Sequence, residues 1–170
     1  MFVKKYINKI NPKLLTSLQY LYHFRRPLNW ISPKDLNEKI NWLKFNSDTS
    51  LWTVCADKYR VREFIKNKGL EYILVKLYGK WDKAEDIDWS TLPSSFVLKT
   101  NNGSGDILVC KDKSKINQGE VVHKYSKLLS VLFSETNGEP HYAKIKPCVI
   151  AEELLNSKLQ PIETETNNIM

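Results

Sequence analysis

The sequence predicts a mixed α/β (α+β) fold, with helices first and a small sheet after them. Three observations predict it. Apolar residues recur at helical spacing as far as about Lys68. After Gly69, short β-branched and aromatic runs bounded by Gly, Pro, Asn and Ser replace that period. A further helical stretch then lies between strand-like segments. At 170 residues the chain suits one domain or two small lobes. The pattern divides it into a helical region over 1–70, a sheet-containing region over 71–155 and a polar, aperiodic end over 156–170 read as disordered.

Asn11 followed by Pro12 is a helix start, a capping side chain with proline in the first turn. Leu14, Leu15, Leu18, Leu21 and Tyr22 then share one face, and Arg25, Arg26 and Pro27 end the helix. Ser32 and Pro33 repeat the start signal, with Leu36, Ile40 and Leu43 as a buried stripe. A third helical region spans about Leu51 to Lys68, with Leu51, Val54, Cys55, Val61, Phe64 and Ile65 inward and Gly69 closing it. Tyr72 to Tyr78 reads as a strand, and Trp81 to Trp89 as an acidic loop with one helical turn. Ser95 to Lys99 and Asp106 to Cys110 read as a hairpin whose tip is Thr100 to Gly105. Val121, Tyr125, Leu128, Leu129 and Leu132 mark an amphipathic helix, broken by Asn137, Gly138 and Pro140. Pro147 to Leu155 begins as an apolar strand.

The net charge is +7, with the basic excess in Met1 to Arg62. A basic balance permits nucleic acid, an anionic membrane surface or phosphorylated small molecules as partners. No groove-reading motif is present, so a nucleic-acid partner is not expected. Cys55, Cys110 and Cys148 have no short spacing, which points to a reducing compartment and away from a zinc site. No run reaches the ~18 apolar residues of a membrane span. The first residues lack the apolar core of a secretory signal, so a cytoplasmic location is expected. Phe2, Tyr6, Ile7 and Ile10 alternate with lysines, which also suits peripheral contact with the inner membrane face. An ordinary packed first helix is the simpler reading of the same pattern.

Three constellations can carry chemistry. Lys99 ends a strand just before Gly103-Ser104-Gly105, where glycines let backbone N–H groups approach an anion and the lysine supplies a point charge. The pattern is neither a Walker A loop nor a dinucleotide-binding turn. Taken alone, it is also an ordinary Asn- and Gly-rich hairpin turn. Val149 to Leu155 places Glu152 and Glu153 after a buried strand, where they could meet an adenine amino group or simply solvent. Ala56 to Ile65 crowds Asp57, Lys58, Arg60, Arg62 and Glu63 together, as an anion-binding face or a salt-bridged surface. His23, His123 and His141 are scattered and read as incidental.

The order of these segments is more informative than any one of them. Leu36 to Phe45 (LNEKINWLKF), Ala56 to Ile65 (ADKYRVREFI), Ser94 to Lys115 (SSFVLKTNNGSGDILVCKDKSK) and Lys146 to Leu155 (KPCVIAEELL) together resemble the TupA-like ATP-grasp family of bacterial polysaccharide and teichuronopeptide biosynthesis. Its members are often labelled glycosyltransferases. The resemblance implies ATP held between two lobes, phosphorylation of a carboxylate, and attack by an amine on the acyl phosphate. It implies Lys99 on the α-phosphate, and Asn102, Gly103, Ser104 and Gly105 over the β- and γ-phosphates. It places Glu152 at the adenine amino group, with Glu153 and Leu155 at the hinge.

The same resemblance implies a larger lobe after this hinge, carrying the acidic and Asn ligands for Mg²⁺. In place of that lobe stands NSKLQPIETETNNIM, so no metal ligands are expected in this chain, and it reads as a truncated copy. The implied partners are a nucleotide, a carboxylate-bearing sugar or amino-acid acceptor, and a separate chain supplying the missing lobe. The alternative is a non-catalytic remnant that binds a nucleotide weakly or packs against a partner.

Overall fold

The computed structural model describes residues 2–103, 105–131 and 138–155. Among these it contains six α-helices and one four-stranded antiparallel sheet. The helices are α1 (Phe2–Ile10), α2 (Pro12–Phe24), α3 (Leu36–Asn46), α4 (Ser50–Ala56), α5 (Val61–Asn67) and α6 (Gln118–Ser130). The strands are β1 (Leu77–Trp81), β2 (Phe96–Thr100), β3 (Ile107–Cys110) and β4 (Val149–Glu152), in the order β1-β4-β2-β3. The mixed α+β class is therefore present, with helices first and the sheet second.

Several helix ends follow the local chemistry. The Asn11 side chain accepts from the Leu14 N–H, and Pro12 follows it without leaving an unmet donor. Arg25 closes α2 in the left-handed region at φ 56°, a conformation unusual for a residue with a Cβ. Gly69 takes φ 72° just past α5, as a C-terminal glycine should.

The helical region departs from expectation at three points. On α2 only Leu15 of the expected stripe is buried; Thr16 and Tyr20 join it, while Leu14, Leu18, Leu21 and Tyr22 are exposed. α3 starts after Asp35 rather than at Ser32 and Pro33, because the Asp35 carboxylate accepts from the Glu38 N–H. Its buried residue is Glu38, and Leu36, Ile40 and Leu43 face outward. Arg26 makes this possible by bonding the Glu38 carboxylate, which also accepts from the Lys34 N–H at 2.7 Å. The helix expected over Leu51 to Lys68 is two, α4 and α5, parted at Asp57. Leu51 and Cys55 face outward there, and Thr53 is buried.

The first strand also sits later than expected. Residues 71–73 form a 3₁₀ turn, and the strand begins at Leu77. The Val75 carbonyl accepts from Arg62 on α5, and the pairing of β1 with β4 begins only at Leu77. The other strands lie within a residue or two of their expected places. The turn expected in the acidic loop is a 3₁₀ turn at Ala84–Asp86. Leu132 and Asn137 lie outside the described residues, as does all of 156–170.

The main core lies on one face of the sheet. Phe96, Leu98, Cys110, Val149 and Ala151 point toward α6 and the 84–92 loop, whose Tyr125, Ala84, Ile87 and Leu92 are buried against them. The opposite face is left to other chemistry.

Candidate functional site

Strand register decides which residues share that second face. Val97 pairs with Glu152 and Val109, and Lys99 pairs with Ile150 and Ile107. Since alternate residues point the same way, Val97, Lys99, Ile107, Val109, Ile150 and Glu152 project together. Ile107 and Val109 are half exposed, which leaves an apolar strip beside a charged pair.

The charged pair is Lys99 and Glu152, diagonal neighbours on adjacent strands. Glu152 is buried, yet its carboxylate is met twice: by Lys99 and by the Arg62 guanidinium at 3.3 Å. Arg62 reaches across from α5 and also donates to the Val75 carbonyl at 2.5 Å. A buried carboxylate needs such partners, and here they fix the direction of both cations.

A second lysine arrives from the turn between α4 and α5. The Lys58 N–H donates to the Asn101 carbonyl at 3.0 Å, and its Nζ bonds the Gly103 carbonyl at the hairpin tip. Burial pushes the Lys58 ammonium below its ordinary range, and the nearby positive Lys99 pushes it further. Asp57, Glu152 and Asp106 act in the other direction.

The turn carrying Lys58 is anchored by side chains. Buried Asp57 accepts from the Tyr59 and Arg60 N–H groups at 2.9 and 3.1 Å and from the Asn101 side chain at 3.0 Å. Asn101 also donates to the Lys146 carbonyl and accepts from the Cys148 N–H at 2.8 Å. One asparagine therefore ties the α4–α5 turn, the hairpin tip and the approach to β4 together.

The tip itself is shaped by two glycines. A Cβ on Gly103 would lie 2.7 Å from the Thr100 hydroxyl oxygen, and Gly105 adopts φ 88°. Ser104 lies outside the described residues. Asn102 is buried next to Asn101. Past β4, Glu153 and Leu155 are exposed, and the Glu153 N–H donates to the Lys76 carbonyl at 2.9 Å.

The structure thus brings Lys99 and Glu152 together on one sheet face, leaves Asn102 and Gly103 at the hairpin tip beyond β2, and leaves Glu153 and Leu155 past the far end of β4. Lys58 and Arg62 lie in the Ala56–Ile65 segment, read as an anion-binding face or a salt-bridged surface, and Asn101 lies in the Thr100–Gly105 tip, but none of the three is among the expected nucleotide-site residues. For Lys58 the available signal was its position just after a buried-type Asp in the ADKYR segment. A cleft of about 520 Å³ adjoins Arg62, lined by Val54, Phe64 and Leu77 together with Arg60 and Lys66. Among the described residues, no three His, Cys, Asp or Glu side chains are grouped to hold a metal ion.

The family model described as TupA-like ATPgrasp covers residues 38–163, from within α3 to beyond β4. No curated protein and no solved structure matches the chain.

Proposed function

The chain belongs to the TupA-like ATP-grasp family, and from that premise we propose that it binds ATP at the sheet face carrying Lys99. The observation that carries the proposal is that Lys58, bonded to the Gly103 carbonyl at the hairpin tip, lies close enough to Lys99 of β2 to feel its charge. Two ammonium groups held close together repel, and the repulsion is already felt by Lys58. A polyphosphate between them would relieve it and favour the charged form of Lys58. Lys99 would contact the α-phosphate. Asn102, Gly103, Ser104 and Gly105 would close over the β- and γ-phosphates and exclude water.

The base would lie along Val97, Ile107 and Val109, toward the strand end at Glu152, Glu153 and Leu155. The Glu152 carboxylate is engaged by Lys99 and Arg62. Its role in this geometry is to aim Lys99, and any contact with an adenine amino group would compete with those cations.

The reaction proposed is that of an ATP-dependent carboxylate–amine ligase, or a polysaccharide-modifying transferase, in cell-surface polysaccharide biosynthesis. The acceptor would be a carboxylate-bearing sugar or amino acid. Magnesium neutralises phosphate charge in such chemistry. The described residues offer no matching set of acidic ligands, so no step is assigned to the ion here.

Titration calorimetry with ATP, with and without Mg²⁺, tests the site. Wild type is expected to give a saturable heat, and Lys58→Ala to weaken binding roughly tenfold or more, as for a lost charge-assisted hydrogen bond. Identical isotherms for the two proteins would remove Lys58 from the site. Release of ADP on adding carboxylate and amine acceptors would then separate an active ligase from a module that only binds.

A further inference from the structure

We propose that the α1–α2 helix pair is a docking surface for an anionic lipid bilayer. Its large apolar side chains would enter the interface, and its basic residues would meet the headgroups. The proposal stands apart from the nucleotide site, because the family match begins at residue 38 and leaves this pair outside it.

The first observation is the inversion of α2. Leu15, Thr16 and Tyr20 bury its inner side. Leu14, Leu18, Leu21 and Tyr22 lie at i, i+4, i+7 and i+8 and stay exposed, the leucines by nearly half and Tyr22 by 67%. Such spacing makes a continuous apolar stripe along the helix. No core requirement explains it, since the helix already packs through its other residues. α1 repeats the feature on a smaller scale: Tyr6 and Ile10, one turn apart, are 69% and 67% exposed.

The second observation is charge, and it selects the occupant. Lys4, Lys5, Lys9, Lys13, Arg25, Arg26 and Lys34 precede the first acidic residue of the chain, Asp35. Arg26 is committed to Asp35 and Glu38. Lys4, Lys5, Lys9, Lys13 and Arg25 are all exposed around the apolar residues. Two copies of so basic a surface would repel one another across a shared interface. An anionic bilayer satisfies both features, taking up apolar side chains below a layer that attracts cations.

Sedimentation of the full chain with vesicles tests this. It should pellet with vesicles of equimolar phosphatidylglycerol and phosphatidylcholine, stay in solution with pure phosphatidylcholine, and be released by high salt. Leu18→Asp combined with Leu21→Asp should lower partitioning roughly tenfold or more. Lys4→Glu combined with Lys9→Glu should lower it by at least about fivefold per residue. These positions are exposed, so circular dichroism should stay as in wild type and certify folding. Three results would overturn the proposal: equal binding to both vesicle types, no binding to either, or folded variants that bind like wild type. Light scattering that shows a dimer, dissociated by the two leucine substitutions, would instead assign the stripe to a second copy.

Discussion

At the scale of single residues, buried polar groups in this chain are informative because each must be held by something. Glu152 is held by two cations and Glu38 by Arg26 and a backbone N–H. His141 is the contrasting case. It is buried, its ring meets Trp52 edge-on at 5.7 Å, and its Nδ1 has no hydrogen-bond partner among the described residues. Burial lowers its tendency to take a proton, with Lys44 adding to the effect and Glu139 opposing it. The unfolded chain therefore binds this proton more readily than the folded one. The sign follows: stability is complete above the unfolded value of about 6.5 and declines as pH falls below it. Urea midpoints at pH 7.5 and 5.5 should differ in wild type, and the difference should shrink in His141→Phe. An unchanged difference would place the pH sensitivity elsewhere.

At the scale of elements, the hairpin and α6 form the platform for the site. Tyr125 donates from the middle of α6 to the Leu98 carbonyl of β2 at 2.6 Å. Removing that hydroxyl in Tyr125→Phe should cost about 1 kcal/mol in urea unfolding, leaving the ring packing intact. Gly105→Ala meets open space but a strained φ, so it should cost about 1–2 kcal/mol and stiffen the tip. Its ATP affinity should drop more than that of Tyr125→Phe, because only the tip is proposed to move over phosphate.

The hairpin was legible in the sequence because its signals are local, two short apolar runs and a glycine tip. α2 was legible for the same reason, through Asn11 and Pro12. α3 was legible as a helix but its buried face was not, because its inward residue is a glutamate whose neutralising partner, Arg26, lies 12 positions away. Its true start was nonetheless readable in Asp35 and Glu38, an acidic cap with Glu three residues on. β1 was misplaced because its register is set by β4, some 70 residues later, and by Arg62 capturing the Val75 carbonyl. In the site, Lys99 and the glycines showed as a motif. Lys58, Arg62 and Asn101 converge with them only in the folded chain.

At the scale of the whole molecule, several side-chain hydrogen bonds tie the helical region to the later half of the chain. The main apolar cluster belongs to the sheet, α6 and the 84–92 loop. The helices reach the second half through Thr53 to the His141 carbonyl at 3.1 Å, Thr16 to the Gly138 carbonyl, Lys58 to the hairpin tip, and Asn101 to Asp57. Asn101 is the most connected of these, touching the turn, the strand approach and Lys146 at once. Asn101→Ala leaves a buried Asp57 carboxylate with one donor fewer and the Cys148 N–H without its side-chain acceptor. The expected cost is about 3 kcal/mol, from two buried groups losing partners. Its distribution matters more than its size. Amides of α4 and α5 should lose protection in hydrogen exchange while those of β2 and α6 keep theirs, because the apolar cluster includes α6 but not α4 or α5. ATP binding should weaken in parallel, since Lys58 is carried on the released turn. Uniform loss of protection across both halves would instead mean that the joint is cooperative and that the helices and sheet unfold as one unit.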